Sequence, residues 1–151
     1  MNEKAKQEKS AGAVIYYFEN NEPKFLLLKY TRYWGFAKGG IEENESEEQT
    51  ALREIMEETG LNNINLVPGF KFEQRYLYKV EGEFRSKHAV FFLARVSREE
   101  AENVKISEEH EEFKFLNLEN ALKLCRIKQN KDMLEKAYEF IRNYERQKRL
   151  F

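Results

Sequence analysis

The stretch SEEQTALREIMEETG carries both a start signal and a stop signal for a helix, which makes it the most constrained element of the chain. Ser46 and Gln49 fit a capping box, in which the serine hydroxyl and the glutamine side chain satisfy free backbone N–H groups of the first turn. Gly60 stands where a left-handed residue ends a helix. Residues at helical spacing predict one face packed on a sheet: Leu52, Ile55, Met56 and Thr59.

Three glutamates share another face of this predicted helix. Glu54, Glu57 and Glu58 stand at i, i+3 and i+4, and we expect them to point away from the apolar side. Carboxylates about 5 Å apart repel by roughly 3 kcal/mol at an effective dielectric constant of about 20, which Arg53, solvent or a bound cation can offset. Mg²⁺ takes oxygen ligands, typically from carboxylates, waters and phosphates. The residues alone leave two interpretations open: an ordinary solvated acidic face and a divalent-cation site.

Composition limits the classes of protein to which this chain can belong. Its 151 residues suit one domain with one core, and 26 basic against 27 acidic residues give a net charge of −1. That balance provides no long-range attraction for a long nucleic acid or a membrane surface. No apolar run approaches the ~20 residues of a membrane span. The single cysteine, Cys125, excludes an internal disulfide and indicates a cytoplasmic protein, and its apolar neighbours predict a buried structural thiol.

The remaining pattern predicts one mixed α/β domain over residues 11–151, preceded by a short flexible leader over residues 1–10. Segment 34–40, with its paired glycines, predicts a tight loop. Asn117 is placed to cap a short helix over residues 119–125. A C-terminal amphipathic helix is predicted from residues at spacings of three and four: Met133, Leu134, Ala137, Tyr138, Ile141 and Tyr144. Apolar and β-branched runs predict strands over 11–18, 24–30, 63–67, 71–80, 88–96 and 113–118.

The glutamates stand at fixed sequence spacings from residues on both sides of them. Gly39 is followed after five residues by Glu45, and after seven more by Arg53-Glu54-Ile55, one residue, Glu57-Glu58, one residue and Gly60-Leu61. These residue types at these spacings match the Nudix box at every fixed position, a far stronger signal than a lone short motif. The chain therefore resembles the Nudix hydrolases.

The resemblance implies an α/β Nudix fold, which is a mixed β-sheet sandwiched between α-helices. It also implies attack of water on a nucleoside diphosphate linked to another group, with Mg²⁺ or in some members Mn²⁺ as cofactor. On the family pattern the metal-binding carboxylates are Glu54, Glu57 and Glu58, while Arg53 and Glu45 orient them. Which carboxylate accepts the proton of the water varies within the family and stays open.

Segments outside the box resemble the asymmetric diadenosine tetraphosphate hydrolases of the animal and archaeal type. Four segments carry this resemblance: TRYWGFAKGG, GFKFEQRYLY, KHAVFFLARV and SEEHEEFKFLNLENA. It implies that Glu109 is a further metal ligand or the base, and that a small dinucleoside polyphosphate or nucleotide is bound. The expected reaction is cleavage of diadenosine tetraphosphate to AMP and ATP. Substrate contacts are implied at Trp34, Lys38, Tyr76, Lys87 and Phe113.

The chain departs from this subfamily at three places. Ala37 replaces the usual proline before Lys-Gly, and Glu43-Asn44 replaces a common Pro-Gly, so that loop stiffness changes while no catalytic group is lost. Phe113 replaces a tyrosine that stacks on adenine. Phenylalanine can stack but has no hydroxyl, so base selectivity stays open.

Structural alternatives stand beside these assignments. The two lysines could be surface residues, and the aromatic residues could be packing residues. His88 and His110 are expected to be non-catalytic, with metal ligation by His110 as a minor alternative because Mg²⁺ prefers oxygen. Two rival functions remain: a Nudix hydrolase of another substrate (an RNA 5′ end, ADP-ribose or a modified nucleoside triphosphate) and a nucleotide-binding module without catalysis.

Overall fold

The computed structural model describes residues 6–150. Within this range seven strands form one sheet: β1 (Lys6–Glu19), β2 (Glu22–Lys29), β3 (Trp34–Gly35), β4 (Ala37–Gly40), β5 (Phe72–Val80), β6 (Glu83–Arg95) and β7 (Glu112–Leu116). Four helices accompany them in the same range: α1 (Glu47–Thr59), α2 (Arg98–Glu102), α3 (Leu118–Leu124) and α4 (Lys128–Leu150).

The sheet is mixed and is organised around β1. Its main path runs β3-β2-β1-β6-β5, with β4 paired to β1 and β7 paired to β2. The β1–β6 pair is parallel, whereas the other pairs are antiparallel. A parallel pair needs a long crossover connection, and the connection here contains α1. Because Ser10 pairs with Gly40 and Gly12 with Lys38, β4 brings the loop that precedes α1 against β1.

Helices cover both faces of the sheet, which confirms the predicted sandwich. Successive residues of a strand point to opposite faces. Val14 and Tyr16 therefore join the core layer under α3 and α4, whereas Ala13 and Ile15 join the layer under α1. Each large apolar side chain buried in these layers contributes about 1.5–3 kcal/mol.

The third and fourth helices show the core face that the sequence predicts. Four predicted residues of α4 are buried: Met133, Leu134, Ala137 and Ile141. Cys125 is fully buried beside them, and burial raises the pKa of its thiol to about 11, in agreement with a structural thiol. No helix within residues 6–150 is both long and apolar enough to cross a membrane, although α4 has 23 residues.

Two segments that were expected to be irregular are extended. β1 begins at Lys6, so residues 6–10 of the expected leader belong to the sheet, and residues 1–5 lie outside the described residues. The reason is that β6 supplies a parallel partner along this stretch. Segment 34–40 forms β3 and β4 instead of a tight loop, because the edges of β2 and β1 supply hydrogen-bonding partners.

Two further segments differ from the sequence prediction: one lies just before β5 and the other lies between β6 and β7. Segment 63–67 is not a strand, and only Leu66 makes a single bridge to Ala94. Residues Arg98–Glu102 form α2, which the hydrophobic pattern did not predict. Ser97 and Glu100 form a capping box there, so the S-x-x-E spacing carried a signal for this helix. The other predicted strands and helices are confirmed with shifted ends.

The first helix has the predicted ends but a different buried face. Ser46 caps its start, and Gly60 ends it with φ +77° in the left-handed region. Leu52 and Met56 are exposed, at 36% and 46% of their surface. The buried residues are Thr50, Ala51, Glu54, Ile55, Glu58 and Thr59. The predicted stripe and the buried stripe of the helix share Ile55 and Thr59. The stripe that includes two carboxylates is buried because these carboxylates have polar partners.

Gly60→Ala tests the left-handed end of α1. An added Cβ meets no atom closer than 3.7 Å, so the cost comes from the backbone conformation and not from a clash. We expect the free energy of unfolding to fall by about 1 kcal/mol. Urea denaturation measures this change, with Gly40→Ala as control because its added Cβ meets nothing within 4 Å and no left-handed φ is involved. Equal effects of the two substitutions would contradict this explanation.

Candidate functional site

Arg53 joins the loop that precedes α1 to the acidic face of that helix. Its Nε and NH2 donate to the two carboxylate oxygens of Glu45 at 2.7 and 2.9 Å, and NH2 also donates to the Gly40 carbonyl at 3.0 Å. Its NH1 donates to Glu54 Oε1 at 2.8 Å and to Glu57 Oε2 at 3.2 Å. The planar guanidinium can satisfy this many acceptors because its donors form a rigid fork. Arg53 therefore offsets the repulsion among these carboxylates and orients them.

Gly39 is required because a carboxylate occupies the space of a side chain. A Cβ at this position would overlap the Glu54 carboxyl group. Glu54 is 8% exposed, and burial together with the nearby Glu57 charge raises its pKa, while Arg53 opposes that shift. The spacing from Gly39 to Glu54 thus reflects a direct contact between β4 and α1.

Glu58 forms a buried pair with a histidine that the sequence analysis expected to be non-catalytic. Glu58 Oε1 lies 2.7 Å from His110 Nε2, and both side chains are almost fully buried. Burial and the charges of Glu54 and Glu109 raise the pKa of Glu58, whereas burial lowers the pKa of His110. Both directions favour the uncharged forms of the two side chains over an ion pair. Tyr30 adds a 3.4 Å hydrogen bond from its hydroxyl to Glu58 Oε1.

These residues fit a hard divalent cation. Glu58 Oε2 is buried and has no hydrogen-bond partner within residues 6–150, so one acceptor of the cluster is free for a ligand. Glu58, Glu109 and His110 bring one ligand atom each to within 4.8 Å of one another. Carboxylate oxygens dominate the donors around this point, which suits Mg²⁺ or Mn²⁺. The segment Ser-Glu-Glu-His was the sequence signal for His110.

A polar cavity of about 370 Å³ lies beside this cluster. Lys38 and Lys87 line it from β4 and β6, and the exposed Glu109 lines it from the loop before β7. The other lining residues come from β1, from the aromatic side chains near β3 and from the end of β4: Glu8, Lys9, Ser10, Tyr30, Tyr33, Gly39 and Gly40. Two ammonium groups facing carboxylates make this cavity suitable for an anionic ligand with bound cations.

A second cavity of about 360 Å³ adjoins the first, since Tyr33 and Lys38 line both. Its walls include four aromatic side chains and come from the segment around β3 and β4, from β5 and β6, and from the start of α4. The lining residues are Tyr33, Gly35, Phe36, Lys38, Gln74, Tyr76, Phe91, Ile127, Gln129 and Asn130. A flat aromatic ligand can stack in such a cavity.

Lys38 stands at the junction of the two cavities. Burial and the ammonium of Lys87 lower its pKa to about 8, and its Nζ donates to the Tyr76 hydroxyl at 3.5 Å. Tyr76 and Lys87 are register partners in the β5–β6 pair, so both side chains lie on the same face. The structure thus brings together three of the five residues that the sequence analysis assigned to substrate.

The other two assigned residues, Trp34 and Phe113, line neither of the two cavities. Trp34 packs against the α3/α4 core layer, with Lys114 Nζ 5.6 Å from its ring centroid. Phe113 packs in the layer under α1, edge-to-face with Phe115 at 6.4 Å. Its pairing with Leu28 places its side chain on that layer. Both side chains therefore occupy packing positions.

Comparisons with known proteins agree with this fold and this site. The NUDIX domain model matches residues 8–143, and the chain belongs to this family. The Bis(5'-nucleosyl)-tetraphosphatase [asymmetrical] of Sus scrofa is 34% identical over 128 residues, which cover 82% of this chain and 84% of that protein. The Mus musculus protein of the same name is 30% identical with the same coverage. A crystal structure of a C. elegans Ap4A hydrolase binary complex superposes with a TM-score of 0.78 at 27% identity, covering 90% of this chain and 98% of that one.

Glu45→Gln tests the junction around Arg53 through its pH dependence. Hydrogen bonds from Arg53 and from the Glu42 backbone N–H lower the pKa of Glu45 from 4.5 to about 2. A carboxylate with a lowered pKa stabilises the fold above its unfolded pKa and loses this contribution as the pH falls through the folded value. We expect the variant to have a lower unfolding midpoint at pH 7, and the difference to narrow between pH 4.5 and 2. Thermal scans across this range measure it, and Glu43→Gln, on an exposed loop side chain, is the control.

Proposed function

We propose that this chain is a metal-dependent hydrolase of diadenosine tetraphosphate that releases AMP and ATP. The observation that carries the proposal is the pair of adjoining cavities with Tyr33 and Lys38 in common. One cavity is aromatic and suits a nucleoside, and the other is polar, charged and adjacent to the carboxylate cluster. Their volumes fall in the range usual for small-molecule sites, about 300–1,000 Å³. The relatives of the same name at 30–34% identity support this choice of substrate.

The proposed cofactor is Mg²⁺, with Mn²⁺ as substitute. Glu54, Glu57, Glu58 and Glu109 would hold it. The free Oε2 of Glu58 and the proximity of Glu109 support two of these four assignments. When bound, such a cation neutralises the polyphosphate and lowers the pKa of a coordinated water. Arg53 acts on the carboxylates and not on the substrate, because all its side-chain hydrogen bonds within residues 6–150 go to the end of β4, to the loop and to α1.

Two lysines and one glutamate have positions that suit direct roles in the reaction. Lys38 and Lys87 line the polar cavity and would bind phosphate oxygens through charge-assisted hydrogen bonds. Glu109 is exposed in the same cavity and would accept the proton of the attacking water. Glu58 is less suited to that role, because it is buried and its Oε1 already lies within hydrogen-bond distance of His110 Nε2.

Product analysis tests the proposed reaction. Incubation with Mg²⁺ and diadenosine tetraphosphate, followed by chromatography, is expected to give equal amounts of AMP and ATP. Two molecules of ADP per substrate, or no turnover, would contradict it. The same assay with ADP-ribose, a modified nucleoside triphosphate and a 5′-triphosphorylated RNA separates the rival hydrolases, since the proposal expects lower kcat/KM for each of them. Binding without turnover of any substrate would identify a nucleotide-binding module.

Glu58→Gln tests two effects of the buried carboxylate: how much it destabilises the fold and how much it contributes to turnover. The pKa of Glu58 is raised, so its ionisation destabilises the fold increasingly as the pH rises above 4.5. Without divalent cations the variant is therefore expected to unfold at a higher temperature than the wild type at pH 8. Its kcat is expected to fall by about 100-fold or more, since removal of one strong interaction in the transition state costs about 2.7–4 kcal/mol. Calorimetry and steady-state kinetics measure the two effects.

Glu48→Gln is the matched control for this experiment, because Glu48 is exposed on the same helix. We expect small changes in both its stability and its kcat. Unchanged turnover of Glu58→Gln would remove Glu58 from the site. A variant less stable than the wild type in metal-free buffer would contradict the destabilising role of the carboxylate.

A further inference from the structure

Two buried amides interrupt the aromatic lining of the second cavity. Gln74 on β5 is 4% exposed and Asn130 on α4 is 5% exposed, yet both line the cavity. Gln74 Nε2 donates a hydrogen bond of 2.8 Å to Asn130 Oδ1. This bond uses one polar atom of each amide and leaves Gln74 Oε1 and Asn130 Nδ2. Neither of these two atoms is among the fully buried unpaired atoms of residues 6–150, so both are accessible to a polar ligand in the cavity.

A sulfur atom indicates the orientation of the Gln74 amide, and therefore which atoms of the two amides stay available to a ligand. Gln74 Nε2 also lies 3.9 Å from Met133 Sδ, a weak acceptor in the core. An overturned Gln74 amide would place its oxygen against the sulfur, with no donor between them. Gln74 therefore keeps its nitrogen toward Asn130 and Met133, and the cavity receives an acceptor, Gln74 Oε1, beside a donor, Asn130 Nδ2.

Backbone contacts hold the two amides in this relative position. The Arg75 N–H donates to Gln129 Oε1 at 3.2 Å, and Gln129 Nε2 donates to the Arg75 carbonyl at 3.3 Å. Each of these residues is the chain neighbour of one member of the amide pair. The start of α4 is thus fixed to β5 by two hydrogen bonds, and the spacing between Gln74 and Asn130 is fixed with it.

We propose that Gln74 and Asn130 read the edge of the bound base and select a 6-aminopurine. This inference rests on the proposed function for placing a nucleotide in the aromatic cavity. Adenine presents its N6 amino donor beside a ring-nitrogen acceptor, which complements the acceptor of Gln74 and the donor of Asn130. Hypoxanthine and guanine carry a carbonyl oxygen in place of that amino group, so Gln74 Oε1 would face a second acceptor. Phe113 then has no part in base selectivity.

A comparison of AMP with IMP tests this inference without any hydrolysis. The two nucleotides carry the same phosphate, so the ratio of their affinities isolates the base. NMR or calorimetric titration of the wild type is expected to show at least about 5-fold tighter binding of AMP, the lower end of the discrimination given by a bidentate base contact. Equal affinities, or tighter binding of IMP, would overturn the inference.

Asn130→Asp replaces the donor that faces the base, and the charge that it adds acts equally on the phosphate that AMP and IMP share. An aspartate still accepts the hydrogen bond from Gln74 Nε2 but presents an oxygen in place of the Nδ2 donor. We expect the AMP-to-IMP affinity ratio to fall to about one or below, with the wild-type fold retained. Asn143→Asp is the matched control, because it makes the same chemical change at an exposed position of the same helix and should leave the ratio unchanged.

Gln74→Met provides a second measure if Asn130→Asp does not fold, since it removes the acceptor at similar volume beside Met133. A ratio unchanged in whichever variant remains folded would show that the pair only joins β5 to α4, and would overturn the inference. The two proposals fail separately. AMP preference without hydrolysis of diadenosine tetraphosphate contradicts the proposed function alone, whereas hydrolysis without AMP preference contradicts base reading alone.

Discussion

The hydrogen bonds of Arg53 are the interaction on which the rest of the site depends. Carboxylates concentrated along α1 repel one another, and a single guanidinium contacts two of them, Glu54 and Glu57, while also holding Glu45 and the Gly40 carbonyl. Because Gly40 ends β4, Glu45 belongs to the loop and Glu54 to the helix, the same side chain fixes three segments relative to one another. That fixed geometry lets the Glu54 carboxylate lie against Gly39, where a larger residue would be excluded. A lysine could supply the charge at this position but not the fork.

Burial of Glu54 and Glu58 makes the site costly to the stability of the fold. Both face the sheet on the side of α1 that ordinarily packs apolar residues, and both have raised pKa values as a result. Glu58 pairs with His110 and Glu54 pairs with Arg53, so each buried carboxylate has one strong partner. Glu58 still keeps one oxygen without a partner. A chain selected for stability alone would place apolar residues there, and this stored cost is typical of functional sites.

The sequence predicts the parts of this molecule that depend on local chemistry. The ends of α1 follow from Ser46, Gln49 and Gly60, and the box residues follow from spacing, because both are properties of one short segment. The buried face of α1 could not be predicted, since two overlapping stripes fit and contacts with β1 and β4 decide between them. The role of His110 depends on a hydrogen bond to a residue 52 positions away. Phe113 was assigned by resemblance alone, and its packing in the layer under α1 depends on neighbours from distant strands that the sequence does not reveal.

The division of the site into two cavities separates chemistry from substrate choice. The polar cavity is built from β1, β4 and the loop before β7, next to the box, so its charged groups follow the motif. The aromatic cavity is built from β5, β6 and the start of α4, which the motif does not constrain. Only Tyr33 and Lys38 belong to both linings. Under the proposed function, substitutions in β5 or α4 would change the base that is accepted while the carboxylates stay in place. The box residues therefore identify the family, and on our proposal Gln74 and Asn130 are better guides to the base than any residue within the box.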